Sequence, residues 1–107
     1  MAENQQANSD QALFSALLFS LHAAGMQQLG KIVNPMTGKI DRDLEQARAT
    51  VEMMEMIKRK TGGNRDEFEE KMLSRLLAEL QMNYVDEIDK DQKAGTPDAA
   101  EGKTSNG

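Results

Sequence analysis

Apolar residues recur along this chain at the three- and four-residue steps of an α-helix, in three separate runs. The first run predicts a helix from about Asp10 to Leu29. Ser9 or Asp10 can cap its free N–H groups, and Gly30 suits the left-handed position past its end. Leu13, Leu17, Leu21 and Ala24 form one side, which Phe14, Leu18 and Leu29 widen. A second strip carries Ala16, Ser20, Ala23 and Gln27 at alternating steps of four and three, with Phe19 and Met26 beside it. Between Asp10 and Lys31 no residue carries a formal charge, and His22 is the one side chain there that takes up a proton near neutrality. A helix apolar on most sides is expected to be covered on most sides. Small residues at such spacings let a second helix approach closely.

The second run predicts a helix from about Arg42 to Thr61, with Asp41 as its cap and Gly62-Gly63 as its stop. Ile40, Leu44, Ala47, Val51, Met54 and Lys58 follow a heptad-like seam. Glu45, Arg48, Glu52, Glu55 and Arg59 make the opposite, solvated face, and Met53 and Met56 belong to neither. The third helix starts after Asn64, with Glu67 completing a capping-box pattern, and fades near Asp89. Its stripe is Met72, Leu73, Leu76, Leu77, Leu80 and Tyr84. Between the first two helices, Asn34-Pro35-Met36-Thr37-Gly38-Lys39 predicts a tight turn. No segment shows strand-like alternation. The expected fold is all-α: helix one packed on an antiparallel hairpin of helices two and three, with disordered termini.

Composition changes this picture mainly at the ends. Residues 1–9 carry no large apolar side chain after Met1, and residues 91–107 carry none. Such segments bury too little apolar area to offset the entropy of ordering. The expected organisation is a disordered tail over 1–9, a helical domain over 10–88 and a disordered polar tail over 89–107. A domain of roughly 80 residues needs efficient helix packing or a second chain to be stable.

Charge and cysteine content exclude several classes. The 107 residues sum to a net charge of −5. The best basic run, Lys58-Arg59-Lys60, follows closely on Glu52 and Glu55, so nucleic acid is not an expected partner. With no cysteine there are no disulfides, thiolate metal sites or cysteine nucleophile. The apolar stretch from Ala12 to Met26 is too short to cross a bilayer, and Glu3 and Asp10 stand where an export signal needs positive charge. The sequence therefore predicts a cytoplasmic protein with no membrane association.

Candidate chemistry is sparse. His22 is the only histidine, and its place on an apolar helix reads as structural rather than catalytic. Asp86, Glu87, Asp89 and Asp91 do not fit a calcium loop, because no register puts glycine at the sixth position. Thr37-Gly38-Lys39 lacks the spacing and the following Ser or Thr of a phosphate loop. Lys31, Asn34, Lys39 and Arg42 remain candidates for anion contact near a helix N-terminus. Eight methionines include Met53, Met56 and Met82, expected to be half-exposed and suited to an adaptable interface.

These features point away from an enzyme, and no cofactor or metal is expected. The expected function is a non-enzymatic helical protein-interaction module that self-associates, with Ala16, Phe19, Ser20, Ala23, Met26, Gln27, Met53 and Met56 as candidate interface residues. The alternative is a small-ligand or anion-binding protein using the 34–42 turn.

The stretch from Leu29 to Val85 also resembles a family. The residues carrying the resemblance are Leu29-Gly30, Asn34-Pro35 with Thr37-Gly38-Lys39, Asp43-Leu44-Glu45, Ala47, Thr50 and Glu55. They continue through Lys60-Thr61-Gly62 with Asn64 to Glu79-Leu80-Gln81-Met82 with Tyr84-Val85. In these residues the chain resembles the small bacterial proteins of domain of unknown function 1844. The resemblance implies that residues 10–88 form one unit, and it implies no activity.

Overall fold

The computed structural model describes residues 2–95, which form three helices: α1 (Ala2–Gln28), α2 (Leu44–Lys60) and α3 (Glu67–Gly95). Each helix packs on both others. The fold is all-α, as the periodicity predicts, and the described residues contain no strand beyond one isolated bridge between Asn34 and Lys39.

The core is aliphatic. Leu18 and Leu29 meet Ala47, Val51 and Met54 from α2, and Met72, Leu73, Leu76, Leu77 and Leu80 from α3. Phe14, Leu21, Met26, Leu44, Ile57 and Tyr84 close its edges. The α3 stripe is therefore that expected from the sequence, and so is the α2 seam from Leu44 to Met54, whereas its expected ends Ile40 and Lys58 are exposed. The buried face of α1 agrees in Phe14, Leu18 and Leu21 but not in Leu13 and Leu17. It runs through Phe14, Leu18, Leu21 and Gly25, whereas Leu13 and Leu17 are 68% and 47% exposed. Gly25 is what selects this face. A Cβ there would lie 2.6 Å from Leu80 Cδ2 and 3.3 Å from Thr50 Cγ2, so α1 meets both other helices at this residue.

The helix ends differ from expectation for identifiable reasons. α1 begins at Ala2 rather than near Asp10, so the segment expected as a disordered tail over 1–9 is helical from residue 2. Its sequence contains no Pro or Gly to oppose a helix, and Gln6 Nε2 donates to Asp10 Oδ1 at 2.9 Å. Residues 5–10 are all exposed and add nothing to the core. Asp43, not Asp41, caps α2, accepting from the Gln46 N–H. Asp41 is engaged by the turn instead, accepting from Asn34 Nδ2 at 3.0 Å and Thr37 Oγ1 at 3.4 Å.

The α3 capping box is Asp66 with Glu69, each accepting the other's backbone N–H at 2.8–2.9 Å, rather than Asn64 with Glu67. The residues before it close α2: Asn64 N–H donates to the Thr61 carbonyl, and Arg65 Nη1 donates to the Lys58 carbonyl. At its far end α3 continues past Asp89 to Gly95, so residues 89–95 of the expected tail are helical. The remainder of that expectation, 96–107, lies outside the described residues.

Candidate functional site

Three surfaces carry the candidate residues. On α1, Ala16, Ser20 and Ala23 are exposed and Gln27 is half-exposed, and Leu13 and Leu17 extend the same side. No formal charge lies on α1 after Asp10, so this strip meets water through methyl, hydroxyl and amide groups alone. The other expected interface residues are distributed. Met53 and Met56 are exposed on α2, and Met26 packs against the core. Phe19 points towards α3, where it lines a groove of about 410 Å³ with Phe68, Lys71, Met72 and Arg75.

The 34–42 turn is a self-contained unit. Asn34 N–H donates to the Lys39 carbonyl, Gly38 N–H donates to the Asn34 carbonyl, and Met36 N–H donates to Asn34 Oδ1, each at 2.8 Å. Gly38 holds φ at +71°, the left-handed conformation that favours glycine. The motif thus serves to reverse the chain between α1 and α2.

Its flanking cations face α3. Lys31 Nζ lies 2.7 Å from Glu87 and 3.1 Å from Asp86, and Arg42 pairs with Glu87 at 2.9 Å and Asp91 at 2.8 Å. Arg42 also donates to the Glu87 carbonyl, and Lys90 lies 3.0 Å from the Glu87 carboxylate. Glu87 is buried at 7% exposure. Its hydrogen bond from Lys31 outweighs the cost of burial and holds its carboxyl at about 2, below the ordinary 4.5. The same contact raises Lys31. These acids form a clamp that ties the α1–α2 connection to α3. Lys31 and Arg42 are thereby committed to carboxylates, and Lys39 makes no ion pair among the described residues.

His22 Nε2 lies 2.8 Å from Glu79 Oε1, linking α1 to α3. No group of three or more His, Cys, Asp or Glu among the described residues is arranged to hold a metal ion. None of the described helices is long and apolar enough to cross a membrane.

A family model described as Domain of unknown function (DUF1844) matches residues 11–86. The chain belongs to this family. No curated protein and no solved structure matches it. The DUF1844 region takes in the packed part of α1, the turn, all of α2 and α3 as far as Asp86. It excludes the exposed first turns of α1 and ends one residue before the clamp carboxylate Glu87.

On the outer face of α3 the sequence singles out Met82 alone, as half-exposed. Phe68, Met82 and Val85 are exposed there, Met82 at 71% and Val85 at 65%. Their signal is an apolar residue recurring among charges.

Proposed function

We propose that this DUF1844 protein is a non-enzymatic helical interaction module that binds a second copy of itself through the outer side of α1. One observation carries the reading: the fold leaves Leu13, Ala16, Leu17, Ser20 and Ala23 in water on a helix with no formal charge from Gln11 to Gly30. A surface helix ordinarily turns a charged face outward. This one offers a second apolar strip, and its small residues let a partner helix seat closely. A single histidine and no cysteine leave little from which to assemble a catalytic set. A cytoplasmic setting suits the cysteine-free chain, and the charge of −5 favours a protein partner over nucleic acid.

The alternative, anion binding at the 34–42 turn, finds less support. Two of its three cations already meet Asp86, Glu87 and Asp91, and an entering anion would have to displace those carboxylates.

Light scattering on the full chain tests the proposal. The mass should exceed that of one chain, and Ala23→Glu should lower it by placing two like charges in the contact. An unchanged mass for Ala23→Glu, with the fold intact by circular dichroism, would refute the α1 surface. Thermal shift with inorganic phosphate addresses the alternative. Stabilisation that Lys39→Ala abolishes would support it over the interaction reading.

A further inference from the structure

Two of the chain's three phenylalanines, Phe19 and Phe68, stay half in water, at 49% and 55% exposure. Both line the same groove between α1 and α3. Phe19 reaches it from α1, while Phe68, Lys71, Met72 and Arg75 reach it from α3 at the three- and four-residue steps that share one side of a helix. The groove encloses about 410 Å³, within the range of small-molecule sites. Met72 is buried and joins it to the core. Both charged side chains that line it are cations. Lys71 pairs with Glu67, but the two side chains are 77% and 84% exposed, so that pair is a loose one. Arg75 makes no ion pair among the described residues. Glu79, one turn further along α3, is taken by His22.

We propose that this groove binds a small amphipathic carboxylate, with its apolar body against Phe19 and Phe68 and its carboxylate on Arg75. The two halves of the site each select one half of that ligand. Covering the phenyl rings removes apolar surface from water, which an inorganic anion cannot do. The guanidinium presents forked N–H donors that match the two oxygens of a carboxylate, a match that a neutral or cationic apolar molecule lacks. The site is separate from the Leu13–Ala23 strip of α1 and does not rest on it.

Octanoate titrated into the isotope-labelled full chain, followed by amide NMR shifts, tests the groove. The shifts should saturate and centre on Phe19, Phe68 and Arg75. Arg75→Gln should raise the dissociation constant by about tenfold, the loss of one hydrogen-bonded charge contact. Phe68→Ser should weaken binding by a similar factor. Arg75 is exposed and Phe68 half-exposed, so helicity should be unchanged in both variants. Octylammonium should bind at least tenfold more weakly than octanoate, and acetate, which has no apolar body, should not saturate the site. Shifts that octanoate fails to saturate, equal binding of octylammonium, or undiminished octanoate binding by Arg75→Gln would each overturn the proposal. A self-associated mass that Phe68→Ser lowers, with no octanoate binding, would assign the groove to a second copy and reject the carboxylate.

Discussion

Gly25 is a residue at which the packing has little slack. A valine there would drive its methyl groups into Leu80, which is fully buried, and into Thr50, whose hydroxyl is held by Gln28 at 2.7 Å. Overpacking of a filled core costs about 1–3 kcal/mol. Gly25→Val should therefore lower stability by about 2 kcal/mol or more in urea unfolding, despite replacing a poor helix former. Glu87 is the second such residue, and here the constraint is charge. Its folded carboxyl titrates at about 2 against an ordinary 4.5. Its stabilising contribution is thus complete above the unfolded value and disappears as pH falls through the folded one. Glu87→Gln should cost about 2 kcal/mol near neutrality, the scale of hydrogen bonds to charged groups. The gap between variant and natural protein should close in thermal melts taken towards about pH 2.

The three helices differ in how much of their role is readable from sequence. Burial of α2 and α3 follows their patterns because each has charged residues that mark a wet side. α1 has no such marker. Several faces of it are apolar enough to be buried, and the buried one, Phe14–Leu18–Leu21, is that on which Gly25 allows close contact with Leu80 and Thr50. The caps were ambiguous for a related reason. Asp41 and Asp43, and Asn64 and Asp66, are paired candidates two residues apart, and the turns take one of each pair for their own hydrogen bonds. Residues 5–10 of α1 are helical through local propensity and lie exposed. Deleting residues 1–9 should accordingly change unfolding free energy by less than about 0.5 kcal/mol, as exposed changes usually do.

At the scale of the whole molecule, the core joins all three helices and the Glu87 clamp fastens the long connection to α3. The fold thus leaves two exposed helix faces, one nearly uncharged on α1 and one on α3 where apolar residues alternate with ion-paired charges. The candidate interaction residues were only partly legible. The alanine–serine strip stood out through the lack of charge around it. Lys71, Arg75, Asp86 and Asp89 disguised the second face, since scattered charges ordinarily mark solvent. Sedimentation equilibrium of the unmodified chain over a concentration series tests self-association most directly. The mass should rise from one chain towards at least two as concentration increases, whereas a single-chain mass at every concentration would contradict the account.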